Sequence, residues 1–143
     1  SSTFWTERIG PAAALSSLAI MKDEKPWIVM NKQANKVIKF WDQTAKEFNL
    51  EIDINGLPTL ANFTVRHPEW LKIKTFITHE ALKKNMLISN SFYMSSMHDD
   101  EALNKYFNFI RIIFKKISNN LDEKKFKINL EAPQCHEGFK RLN

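Results

Sequence analysis

An α+β fold, in which a small, mostly antiparallel sheet packs against helices, is what this 143-residue sequence predicts. Long runs repeat apolar residues every three or four positions, the signature of amphipathic helices. Two shorter runs between them alternate apolar and polar residues, as strands buried on one face do. The resulting order is helix, helix, strand, strand, helix, strand, helix, with about four helices and about three or four strands.

The first helix is expected at Pro11, where a missing N–H does no harm because a first-turn N–H has no helical partner. It runs through Ala12-Ala13-Ala14-Leu15 to Met21 and ends in Lys22-Asp23-Glu24-Lys25. Pro26 starts a second helix. Its apolar face is Trp27, Met30, Ala34, Val37, Ile38, Trp41, Ala45 and Phe48, and Lys32, Lys36, Lys39, Asp42, Lys46 and Glu47 fill the other side. The period then changes to two. Leu50, Ile52 and Ile54 alternate with Glu51, Asp53 and Asn55, and Asn55-Gly56 supplies a turn. A second, antiparallel strand follows over 59–65, with Ala61, Phe63 and Val65 on one face, and Pro68 closes it.

A third helix is expected over 74–85, with Phe76, Ile77, Ala81 and Leu82 inward. Residues 86–88 and 92–94 read as two short strand pieces around the polar Ser89-Asn90-Ser91. His98-Asp99-Asp100-Glu101 opens the last helix, where acidic residues complement the positive end of the helix dipole and His98 is a candidate cap. Leu103, Tyr106, Phe107, Ile110, Ile113, Phe114 and Ile117 form its apolar stripe.

Composition narrows the function classes. Apolar residues make up 43% and charged residues 26%, the range of ordinary globular proteins. No apolar run reaches the roughly 18 residues that a membrane span needs, and no secretory-type segment opens the chain. The single cysteine, Cys135, excludes an internal disulfide framework and fits a reducing, cytoplasmic setting. A net charge of +5 raises nucleic acid as a partner. The lysines, however, are scattered among carboxylates, and Lys83-Lys84, Lys115-Lys116 and Lys124-Lys125 are too short to make a binding stripe. A solvated surface is the expectation, with neither nucleic acid nor membrane as partner. His67, His79, His98 and His136 share no ligand-type spacing, so no metal is expected. Cys135 beside His136 reads as a structural thiol.

Only three glycines are present, Gly10, Gly56 and Gly138, too far apart to form a loop that brings backbone N–H groups around a phosphate. A self-sufficient cofactor-binding domain is therefore not expected.

Three strings carry a more specific signal. In Ser2-Thr3-Phe4-Trp5-Thr6-Glu7-Arg8-Ile9-Gly10-Pro11-Ala12-Ala13-Ala14-Leu15, a threonine stands five residues before the proline of an alanine-rich helix. Tyr93-Met94-Ser95-Ser96-Met97-His98-Asp99-Asp100-Glu101 and Cys135-His136-Glu137-Gly138-Phe139-Lys140-Arg141-Leu142-Asn143 follow in order. Together they resemble the C-terminal part of class III pyridoxal-phosphate-dependent aminotransferases, in a glutamate-1-semialdehyde-aminomutase-like branch. The resemblance implies that residues 1–22 are the tail of the large cofactor domain with its connecting helix, and 23–143 the small C-terminal domain. It implies an enzyme that transfers amino groups with pyridoxal phosphate, acts on a small amino or oxo substrate and works as a homodimer. The catalytic lysine would lie in the large domain upstream, so this chain alone should be inactive.

By the same resemblance, Thr6 reaches the phosphate of the cofactor bound by the partner subunit, with Ser2 and Thr3 as weaker candidates. Trp5, beside Thr6, is a candidate wall of the dimer's active site, with core packing as the alternative reading. Asn90 falls where the aminomutase commonly carries a glutamate facing the substrate, and an amide there cannot titrate. Arg8 and Arg141 are candidate carboxylate binders, although salt bridges are the commoner use of such residues. The rival reading is a stand-alone basic module that binds an acidic protein or nucleic acid. An apolar patch over 1–22 is expected if the large domain normally covers it.

Overall fold

Four helices and three strands form in the expected order: α1 (Ile9–Glu24), α2 (Pro26–Glu47), β1 (Ile52–Asn55), β2 (Leu60–Val65), α3 (Trp70–Leu82), β3 (Ser91–Tyr93) and α4 (Asp100–Asn120). The computed structural model describes residues 6–136 and 138. The strands make one antiparallel sheet in the order β1-β2-β3. The fold is α+β.

Three helix ends share one device, a non-glycine residue in the left-handed region. Lys25 (φ 48°) ends α1 and precedes Pro26, so a single residue separates α1 from α2. Asn49 (φ 52°) lets the amides of Asn49 and Leu50 reach the carbonyls of Lys46 and Ala45, and Asn85 (φ 56°) does the same after α3 through Leu82 and Ala81. These reversed bonds satisfy carbonyls that the helix leaves open, and asparagine tolerates the geometry better than most residues. Between β1 and β2, Gly56 has φ 93°, and a Cβ there would lie 2.6 Å from the Leu60 carbonyl oxygen.

Register decides which sheet face is inside. Ile52 pairs with Val65, Ile54 with Phe63, and Ala61 with Phe92, so these side chains share the face covered by α2, α3 and α4. Phe63 is the hub of this face. Its ring meets Trp41 at 5.0 Å, Phe114 at 5.3 Å and Trp70 at 6.3 Å, all edge-on, the arrangement that ring quadrupoles favour. Ala34, Val37, Trp41 and Ala45 of α2 and the expected stripe of α4 are in the core, except that Phe107 is only partly buried and Phe109 joins it.

Several expectations are corrected. α1 begins two residues before Pro11, which the first turn tolerates because its N–H would be unpaired. α3 starts at Trp70 rather than 74 and stops at Leu82, whose side chain is exposed; Ile73 takes the inward place. Residues 86–88 pair with no strand and serve as the connection into β3. Trp27, at the outer end of the α2 stripe, is also exposed.

The chain after α4 was not foreseen as structure. Leu121 and Phe126 form an isolated bridge, and the Phe126 side chain enters the core against Phe76. Its amide donates to Glu69 and its carbonyl accepts from Lys72. Further on, Glu131 pairs with Lys83, and the Cys135 amide donates to Thr75 Oγ1. The segment 121–136 is thus strapped along α3.

Candidate functional site

The α1 start and the β3–α4 corner hold the residues singled out from the sequence. Thr6 lies exposed in the turn before α1. The two N–H groups that open the helix, those of Ile9 and Gly10, point at the Glu7 carboxylate, at 2.7 and 3.4 Å. An anionic group therefore already occupies this helix terminus, the position favoured by the dipole. The Thr6 hydroxyl fits a single supporting contact to a phosphate. The helix N–H groups do not fit a full phosphate site while Glu7 holds them. Arg8 is exposed. Trp5, Ser2, Thr3 and Arg141 lie outside the described residues.

α1 itself has no buried residue. Ile9 is 78% exposed, Leu15 69% and Leu18 61%, with Ile20 and Met21 also exposed. These residues are spread around the helix rather than gathered on one side, and Trp27, Ile28 and Val29 of α2 extend the apolar surface.

Asn90 sits immediately before β3, half-buried. Its backbone carbonyl accepts from the Phe63 amide, and its side-chain Nδ2 donates to the Phe63 carbonyl at 3.0 Å. Ser89 Oγ stands 3.3 Å from its Oδ1. The side chain therefore extends the β2–β3 pairing, a position that a glutamate, lacking a donor, could not fill.

One turn further, Asp99 rather than His98 caps α4, its Oδ1 accepting from the Ala102 amide at 2.8 Å. His98 Nδ1 instead accepts from the Ser95 amide at 3.1 Å, and its ring packs against Phe92, 5.2 Å between centroids. Phe92 in turn meets Tyr106 edge-on at 4.8 Å. The Tyr106 hydroxyl accepts from Trp41 Nε1 at 2.8 Å, inside the core. Burial pushes this phenol well above its ordinary pKa, against the opposing effect of the Trp41 bond, so it stays neutral. These side chains border a cavity of about 360 Å³ between β3, the 86–88 segment and the first turns of α4. Sequence reasoning placed His98 at the helix start but had no signal for this enclosure, because the lining is drawn from three separate segments.

A second cavity, also about 360 Å³, lies between α3, α4 and the C-terminal strap. Glu80 is mostly buried there and is bonded to Lys116 and Lys83, and Lys83 also reaches Glu131. The Lys116 hydrogen bond holds the Glu80 carboxyl below its usual pKa, against desolvation and with help from Lys83. Its charges balance internally, which suits a structural cluster.

His67 Nε2 contacts the Asp122 carbonyl oxygen, and Cys135 Sγ lies 3.5 Å from the Leu71 carbonyl oxygen. Among the described residues no group of three or more His, Cys, Asp and Glu side chains could hold a metal ion. No helix among them is long and apolar enough to cross a membrane.

No protein-family model, curated protein or solved structure matches the chain.

Proposed function

We propose that this chain is the small C-terminal domain of a pyridoxal-phosphate-dependent aminotransferase or aminomutase of class III, with α1 as the helix that ties it to a large cofactor domain. The observation that carries the reading is α1. It follows the Thr6 string directly, and its apolar side chains lie in water all round. A helix apolar on every side belongs inside a larger assembly, which a connecting helix between two domains would provide.

In this reading, pyridoxal phosphate supplies the electron sink for amino-group transfer, held by the large domain. The chain's own contribution is to close the substrate cleft with its β3–α4 corner and to offer the Thr6 hydroxyl to the phosphate in the partner subunit of a homodimer. With Asn90 bonded to Phe63, no titrating carboxylate is available at that position. Its amide oxygen, beside the Ser89 contact, keeps a lone pair that can accept from a substrate amino group. The lone free Cys135 is compatible with a cytoplasmic enzyme. The rival basic module gains little support, because Lys36, Lys46 and Lys105 are paired with Asp100, Asp42 and Glu101.

The test is an absorbance titration with pyridoxal phosphate, on this chain alone and on the polypeptide that includes the coding sequence upstream of Ser1. An internal-aldimine band in the longer protein, absent from the chain alone, is expected. No band in either would overturn the proposal.

A further inference from the structure

We propose that the cavity between β3 and α4 binds the apolar side chain of a small carbonyl compound, with the His98 imidazole donating to the carbonyl oxygen. The carbonyl class rests on the amino-transfer reading above. The cavity and its chemistry do not.

The walls are mostly apolar, with Met86, Ile88, Phe92, Ala102 and Leu103 among them. The hydroxyl residues Ser91, Tyr93 and Tyr106 and the His98 ring are their polar members, and no lining residue carries a carboxylate, ammonium or guanidinium group. An ion entering would lose hydration without a counter-charge, whereas an apolar group would lose nothing. Roughly 150 Å³ is enough to hold benzene, so about 360 Å³ accepts one aromatic ring or a branched aliphatic chain. The walls are also preformed. Tyr106 is fixed from behind by Trp41, and Phe92 is held between the Tyr106 and His98 rings.

Among these polar members the His98 ring is held in one orientation by the Ser95 amide. Because Nδ1 accepts from the Ser95 amide, the neutral ring carries its proton on Nε2. Among the described residues Nε2 has no hydrogen-bond partner. A mostly apolar cavity with a few placed polar groups is the usual form of a small-molecule site. The ligand it selects has an uncharged apolar group next to a hydrogen-bond acceptor. Asp99 and Asp100, at the adjacent start of α4, favour a neutral carbonyl over a carboxylate in that place.

The experiment is an amide NMR titration of the 143-residue chain with 4-phenyl-2-butanone, which has ring and carbonyl, and with 4-oxopentanoate, which has the carbonyl but no ring. Saturable shifts confined to residues 86–93 and 98–106 with the phenyl ketone, and none with the oxo acid, are expected. Ala102→Leu, which fills the cavity, and His98→Phe, which keeps a ring against Phe92 but removes the donor, should each weaken binding about three- to tenfold. The absence of saturable shifts, shifts elsewhere, equal response to both probes, or unchanged binding by folded variants would overturn the site. If a variant does not fold, the contrast between the two probes on the natural chain still decides. Ketone binding without an aldimine band in the longer protein would leave this site standing and remove the amino-transfer reading; an aldimine band without ketone binding would do the reverse.

Discussion

Glu80 shows how one side chain can tie three segments together. It stands on α3, takes a hydrogen bond from Lys116 of α4, and shares Lys83 with Glu131 of the strap. Its carboxyl pKa is depressed in the fold, first by Lys116 and then by Lys83, with desolvation opposing them. A depressed carboxylate stabilises the fold above its unfolded pKa, and that contribution disappears as pH falls through the folded value. Glu80→Gln should therefore lower stability near neutral pH and flatten the loss of stability on acidification. Denaturant midpoints at a series of acidic and neutral pH values would check this, and parallel acid limbs in the two proteins would refute it. Nothing near Glu80 in the sequence identifies Lys116 as its partner, 36 residues away, or Glu131 as the second partner of Lys83, 48 residues away.

The strap of residues 121–136 depends on one anchor. Phe126 is 1% exposed, packs edge-on against Phe76 at 5.3 Å, and has both backbone polar groups taken by side chains of α3 and its approach, Lys72 and Glu69. Removing such a ring leaves a cavity that the surroundings fill only in part, at a cost of about 3–5 kcal/mol. Phe126→Ala should lower the unfolding free energy by that amount and speed amide exchange at Lys127 and Cys135, whose N–H groups are bonded to Asn120 and Thr75. An unchanged denaturant midpoint would mean the strap is not part of the cooperative core. The run after α4 opens polar, Asp122-Glu123-Lys124-Lys125, but Phe126, Ile128 and Leu130 then alternate with Lys127 and Asn129, a period of two that marks the segment as packed on one side.

For the molecule as a whole, α1 is the unfinished part. Its apolar side chains face water on every side, and exposed apolar surface favours association. The isolated chain should self-associate through this surface. Leu15→Glu combined with Leu18→Glu should return it to the 16.8 kDa monomer by light scattering, with the core unaffected. A natural chain that is already monomeric at high concentration would show that α1 needs no cover.

The class of the fold, the order of its elements and the inward faces of α2, β2 and α4 were legible from residue spacing. Burial of one face imposes a period of 3.6 or 2, and Ala34, Val37, Trp41, Ala61, Phe63, Val65, Ile110 and Ile117 all obey it. Chain ends and short connections were less legible. Met86–Ile88 has strand-like residues but finds no partner strand, and α3 starts earlier than its apolar run suggests because Trp70 packs on Phe63. The residues of the β3–α4 cavity could be named singly but not assembled. Pairing of Asn90 with Phe63, the turn that fixes His98 on Ser95, and the Trp41–Tyr106 bond are contacts across up to 65 residues. Local spacing records which side chains leave water; which of them then meet depends on how the helices and the sheet close around one another.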